Sequence, residues 1–282
     1  MTLPASDTII DYPSGATAAS ATVVHVEGAY VLLDRTAFHP VDAVWPDQGA
    51  DRGVLRVDGH DYVVDDCVVG ATNGSELFVG AEVPVRTGTE GWNFVVVHVV
   101  REPGISLGDA VEVVVDEPYR AALSAGHTAC HLASLALDLA LAGAWTKDAP
   151  VDTLGSPAFD SLAIESSLIT EFGSRDVYRI GKSLRKKGFG VAVLDDVATV
   201  ESAANATLAG WVGSDAAVRI ARDSDGLGAR RTWECALPDA TATIPCGGTH
   251  LSSLAELSSI TVSLERTDLD GAVQLTMVTS VS

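Results

Sequence analysis

The feature that most restricts this chain is a pair of matched spacings. Gly126-His127-Thr128-Ala129-Cys130-His131-Leu132 sets two imidazoles four residues apart, and Pro245-Cys246-Gly247-Gly248-Thr249-His250 sets a thiol and an imidazole at the same interval. On a helix, residues i and i+4 share a face one turn apart, so His127 and His131 can offer two nitrogens to one ion. In the second motif the Gly-Gly pair lets the backbone wrap closely. Three imidazoles and one thiol form a borderline-soft N/S donor set, which favours Zn²⁺ over Mg²⁺ or Ca²⁺. Either motif alone reads equally well as ordinary histidines; together they use three of the chain's seven histidines, which makes coincidence a poor account. A fold that uses them must bring His127, His131, Cys246 and His250 to one point across more than a hundred intervening residues. Cys130 points elsewhere on the same helix and is read, with Cys67 and Cys235, as a buried thiol.

The rest of the chain is organised around these motifs. Up to about residue 115 it reads as β: Ala21–Val26, Tyr30–Leu33, Val54–Val57, Tyr62–Val64, Phe94–Val100 and Val111–Val115 are short, Val-rich and separated by signals such as Asp58-Gly59 and Pro103-Gly104. Many short strands at close spacing favour a barrel or a sandwich. A helix is expected over Pro118–Ala142, rich in Ala and Leu and stopped by Gly143. Further helices are expected over Ser174–Gly188 and Val197–Trp211, and strands at Ala216–Ala221, Ala242–Ile244, Ile260–Leu264 and Gln274–Val278. The class is therefore α+β, with a boundary near Asp116 between a β domain (1–115) and a mixed domain (116–282).

Charge bears on partners. The formal net charge is −20, with 18 Lys+Arg against 38 Asp+Glu, so the overall field repels polyanions. Against that background, Asp176–Phe189 concentrates cations: Arg179, Lys182 and Lys186 are spaced for one helix face, with Arg185 beside them. Such a patch suits phosphate contacts and points to a nucleic-acid partner; the competing reading is a solvated face paired with Glu171 and Asp176. Arg230-Arg231 is a lesser candidate for the same role. No apolar run approaches the roughly 20 residues that span a bilayer, so no membrane partner is expected. No signal peptide is recognised, and four cysteines fit a reducing, cytoplasmic setting. No nucleophile elbow, P-loop or dinucleotide fingerprint is present.

At these motifs the chain resembles the editing domain of alanyl-tRNA synthetase and the free-standing AlaX-type trans-editing proteins. The resemblance runs through Gly108-Asp109, Val115-Asp116, Arg120 and His127–Leu132, and through Cys246-Gly247-Gly248-Thr249-His250. Upstream, Leu33-Asp34-Arg35-Thr36-Ala37-Phe38-His39-Pro40 is similar to the family's D-x-T-x-F-Y-P element, and Gln48-Gly49-Ala50-Asp51-Arg52-Gly53 to its Q-P-x-D-x-G element. The chain departs from the family where Val41–Gln48 replaces a shorter glycine-rich turn, and where His39 stands for a tyrosine. The resemblance implies an N-terminal β-barrel followed by an α+β zinc-binding editing domain. It implies hydrolysis of the ester that joins serine or glycine to alanine tRNA, with Thr36 and Gln48 near the aminoacyl group and zinc as the metal. Arg179, Lys182, Arg185 and Lys186 would meet the tRNA, and the chain would not itself charge tRNA. Two other functions stay open on the residues: a zinc hydrolase of another aminoacyl or acyl ester, and a zinc-containing tRNA-binding module without catalysis. Whether the zinc is catalytic or closes a structural site is open as well.

Overall fold

The valine-rich stretches of the first third do form strands. The computed structural model of the protein describes residues 3–42, 44–102 and 104–282; Ala43 and Pro103, and with Pro103 half of the expected Pro103-Gly104 turn, lie outside the described residues. The chain divides into two units. One comprises the chain up to Ala121 together with Ile220–Thr232 and Pro245–Thr249. The other comprises Ala122–Arg219, Trp233–Ile244 and His250–Ser282.

The first unit contains β1 (Ile9–Ile10), β2 (Ala18–Glu27), β3 (Tyr30–Leu33), β4 (Arg35–Thr36), β5 (Gly53–Val57), β6 (His60–Val63), β7 (Asp66–Thr72), β8 (Leu77–Val79), β9 (Asn93–Val99) and β10 (Ala110–Val115). Eight of them form one sheet in the order β6-β5-β10-β2-β3-β9-β7-β8, and β1 pairs in parallel with β4. The order has two ends, β6 and β8, so the expected barrel is corrected to an open sheet. The long β2 joins its halves: Ala18–Thr22 pairs with β10 and Val23–Glu27 with β3, with a register shift between Val23 and His25. An irregularity of that kind bends and twists the strand that carries it. The apolar run of β9 is explained by burial on both faces. Phe94 and Val96 join a cluster with Leu33, Phe38, Leu55 and Val113, whereas Val95 and Val97 pack with Leu32 on the other side. Each such side chain contributes about 1.5–3 kcal/mol on burial.

Two features hold the segment that follows Gln48. Gly53 has φ +154°, and a Cβ there would sit 2.1 Å from the Val114 carbonyl oxygen, so only glycine lets β5 meet β10. Asp51 is buried and receives the Arg120 guanidinium, with Nε donating to Oδ1 at 2.7 Å and Nη2 to Oδ2. The same Nη2 donates to the Ala37 carbonyl at 2.7 Å, and the His39 N–H donates to Asp51. A buried charge pair of this kind is tolerable because its hydrogen bonds are filled.

Helix α1 (Glu117–Ala140) begins where Asp116 accepts the Tyr119 N–H at 3.1 Å, an N-cap in all but name. Beyond α1 the chain forms α2 (Phe159–Ala163), β11 (Ile164–Thr170), β12 (Gly173–Ile180), α3 (Lys182–Lys186), α4 (Val197–Val212), β13 (Val218–Arg222), β14 (Arg231–Ala236), β15 (Thr241–Pro245), β16 (Ile260–Leu269) and β17 (Ala272–Val281). Strands β11-β12-β17-β16 form an antiparallel sheet, and β13-β14-β15 a smaller one. Helix α1 lies against β11 and β12: the Phe172 N–H donates to the Ala122 carbonyl, and Cys130 Sγ rests 3.6 Å from Asp176 Oδ1. Helix α4 covers the edge of β16, where Asn205 exchanges two hydrogen bonds with the Val262 backbone (2.8 and 2.9 Å) and Glu201 accepts the Leu264 N–H. An edge strand covered in this way no longer offers open backbone groups. The expected helix over Ser174–Gly188 is corrected: its first half is β12, and only Lys182–Lys186 is helical.

Candidate metal centre

The i, i+4 spacing on α1 places the His127 and His131 rings with centroids 4.7 Å apart. His250 closes the group, with its ring 4.3 Å from His127 and 5.0 Å from His131. One donor atom from each of His127, His131, Cys246 and His250 lies within 4.8 Å of the others. A tetrahedral zinc with bonds of about 2.0–2.3 Å sets its donors about 3.3–3.8 Å apart, so modest side-chain adjustment closes the group on one ion.

The residues fit a metal on independent grounds. His131 Nε2 is buried without a hydrogen-bond partner, as a nitrogen kept for a metal would be. Burial lowers the His131 pKa to about 3, so the imidazole is neutral, the ligating form. The Gly248 N–H points at Cys246 Sγ at 3.4 Å, which favours the thiolate, while burial pushes the free thiol up to about 12. A bound cation would have to displace that proton.

A surrounding layer orients the donors. Thr128 Oγ1 lies 3.3 Å from His250 Nδ1 and accepts the Leu251 N–H at 3.1 Å. An Nδ1–H donated to Thr128 leaves Nε2 of His250 for the metal. Trp233, fully buried, packs its ring 5.1 Å from His131 and 6.0 Å from His250. The Cys246 N–H donates to the Arg231 carbonyl at 3.2 Å, which ties the second motif to the start of β14. Trp233 carries no distinctive spacing in the sequence; only the alternation Arg231-Thr232-Trp233-Glu234-Cys235, with Trp233 and Cys235 inward, marks β14.

The other residues singled out by sequence occupy different surroundings. Thr36 is fully buried on β4; its hydroxyl lies 2.9 Å from His98 Nε2 and accepts the Phe38 N–H at 3.1 Å. His98 Nδ1 reaches the Val31 carbonyl, and burial lowers its pKa to about 4, so a neutral imidazole completes this network. Gln48 is buried and meets Thr249: Nε2 donates to Thr249 Oγ1 at 2.8 Å, and Oε1 accepts the Thr249 N–H at 3.0 Å. Arg179 does not share a helix face with Lys182 and Lys186. It projects from β12 and lies 3.7 Å from Glu165. Lys182, Arg185 and Lys186 are exposed on α3, and Lys147, which the sequence did not single out, joins them by donating to the Lys186 carbonyl at 3.0 Å. Asp176, expected to offset this charge, is instead buried on the inner face of β12 and accepts from Ser167 and Ser174.

No protein-family model matches the chain. A stretch of 107 residues, 38% of the chain, is 33% identical to the alanine–tRNA ligase of Caldivirga maquilingensis. That stretch spans 9% of the ligase, so the likeness concerns one part of a much longer protein. No helix among the described residues is long and apolar enough to cross a membrane.

Proposed function

We propose that the chain is a zinc-dependent aminoacyl-tRNA deacylase that removes serine or glycine from alanine tRNA in trans. The observation that carries this reading is the convergence of His127, His131, Cys246 and His250, in a chain similar to part of an alanine–tRNA ligase. Deacylation needs a water nucleophile and a partner for the oxyanion that develops on the ester carbonyl. Zinc, when bound, acidifies water and polarises such a carbonyl. His127, His131, Cys246 and His250 would hold the ion as four protein donors, the usual number of a closed site, so they would serve chiefly to fix the surrounding residues unless one of them stayed unbound. The buried Trp233 beside His131 keeps bulk water from that side, which strengthens electrostatic interactions there. The resemblance sets Thr36 and Gln48 near the aminoacyl group. The Thr36 hydroxyl is engaged by His98 and Phe38, which suits a fixed, orienting group better than proton transfer. Lys147, Lys182, Arg185 and Lys186 form a cationic surface on an acidic chain, which suits the phosphate backbone of tRNA.

The test is deacylation of Ser-, Gly- and Ala-charged alanine tRNA by the purified protein, with zinc content measured in parallel and His131→Ala as control. Release of serine or glycine, with alanine spared and activity lost in the variant, is the expected outcome. A zinc-loaded protein that leaves all three esters intact overturns the deacylase and leaves a binding module.

A further inference from the structure

The second metal motif is a loop with two glycines, and such a loop does not hold Cys246 and His250 in place by itself. Thr249, between them, is 2% exposed, and Gln48, its partner from 201 residues earlier, is 1% exposed. The two contacts are complementary: the amide oxygen takes the Thr249 backbone N–H, and the amide nitrogen gives a proton to the Thr249 hydroxyl. Gln48 is itself held at both ends of its turn. Val41 bonds to β7 through Cys67 and Val69, and Asp51 donates its N–H to the His39 carbonyl at 3.1 Å. Asp51 is fixed in turn by Arg120 of α1, the helix that carries the other two ligands.

We infer that Gln48 is a positioning residue for the metal centre, clasping Thr249 so that Cys246 and His250 are set before a metal arrives. The inference rests on the metal centre proposed above and assigns Gln48 a role that does not require contact with substrate. The physical reason is entropic. Ordering a glycine-containing loop costs conformational freedom, and a loop already fixed loses less when the ion binds. Outer partners of metal ligands typically account for about 10- to 100-fold in affinity.

The experiment is zinc affinity by competition with a chromophoric chelator, and the visible spectrum of the Co²⁺-loaded protein, for Gln48→Ala, Thr249→Val and Thr249→Ser. Gln48→Ala is expected to weaken zinc binding by about 10- to 100-fold. Thr249→Val, which keeps the backbone N–H contact, should weaken it less, and Thr249→Ser should behave as the wild type. The double variant Gln48→Ala/Thr249→Val should bind within about twofold of Gln48→Ala alone, because Gln48→Ala already removes the contact that Thr249→Val removes. Gln48→Ala that binds zinc within about twofold of the wild type, with an unchanged Co²⁺ spectrum, overturns the inference while leaving the metal centre standing. A wild-type protein that takes up neither ion overturns both. If Gln48→Ala does not fold, the order of Thr249→Ser and Thr249→Val decides, and equal affinities for these two overturn the clasp.

Discussion

The two halves of the metal centre solve one problem by different means. His127 and His131 sit on a 24-residue helix, where backbone hydrogen bonds alone fix their spacing. Cys246 and His250 sit outside any helix or strand, so no repeating backbone ladder fixes their spacing. The loop is instead tied from outside, by the Arg231 carbonyl on Cys246, Gln48 on Thr249 and Thr128 on Leu251. Regular structure supplies ligand geometry from sequence-local interactions; irregular structure must borrow it from residues distant in the chain.

The largest perturbation removes a donor from either half. His131→Ala and Cys246→Ala should each reduce zinc affinity by more than the roughly 10- to 100-fold expected of an outer partner, since a ligand bond is lost outright. The halves should then separate in the metal-free protein. His131→Ala, in a well-packed helix beside Trp233, should lower the melting temperature in the presence of a chelator more than Cys246→Ala does. Equal melting temperatures would show that the helix half is no better packed than the loop half.

The next effect tests what keeps α1 in place. Asp138 is 3% exposed on that helix and accepts the Asp160 N–H at 2.7 Å. Burial raises its pKa to about 8, and that of Asp160 to about 6. The folded-state values lie above the unfolded value near 4, so the neutral acid is the form the fold favours. Its contribution is complete below about pH 4 and is lost as pH rises towards 8. Asp138→Asn keeps the acceptor and removes the ionisation. It should match the wild type near pH 4 and exceed it at pH 8 by a few kcal/mol, each pKa unit being about 1.4 kcal/mol. Denaturant melts of both proteins at several pH values supply the check, and parallel profiles would show that Asp138 ionises freely.

The same contrast governs how much was legible in the sequence. The helix ligands were readable because i, i+4 is a local code, and α1 and α4 followed from composition. The Cys246–His250 spacing was readable as a motif, but its supports were not: the Gln48–Thr249 contact spans 201 residues and leaves no periodic trace. The expected barrel depended on strand pairing, which sequence spacing does not encode, and β6 and β8 end the strand order without pairing to each other. Strand β12 was misread because cations at helical intervals outweighed a period-two pattern. Ser174, Asp176, Tyr178 and Ile180 face inward and Arg175 and Arg179 outward, but two of the inward residues are polar. They are tolerated there because Ser167, Ser174 and Cys130 donate to Asp176, a pairing visible only in three dimensions.

The smallest effects come from adding one methyl group to each half, and here the comparison is sharpest. In the helix, a Cβ on Gly126 would lie 2.4 Å from the Thr170 carbonyl oxygen and 2.6 Å from that of Gly173. Both are backbone atoms of packed strands and cannot step aside. In the loop, a Cβ on Gly247 would lie 3.1 Å from Arg231 Nη2, the end of a flexible side chain. Helix propensity alone makes Gly→Ala favourable by about 1 kcal/mol, so at Gly126 propensity and sterics oppose each other. Overpacking typically costs about 1–3 kcal/mol, so sterics should win and Gly126→Ala should destabilise. Gly247→Ala should change stability by less than about 0.5 kcal/mol, the range of substitutions away from tight packing. Denaturant melts of both variants in chelator read the two effects directly. A stabilised Gly126→Ala would show that α1 can lift from β11 and β12, and that the helix half is held by its own backbone alone.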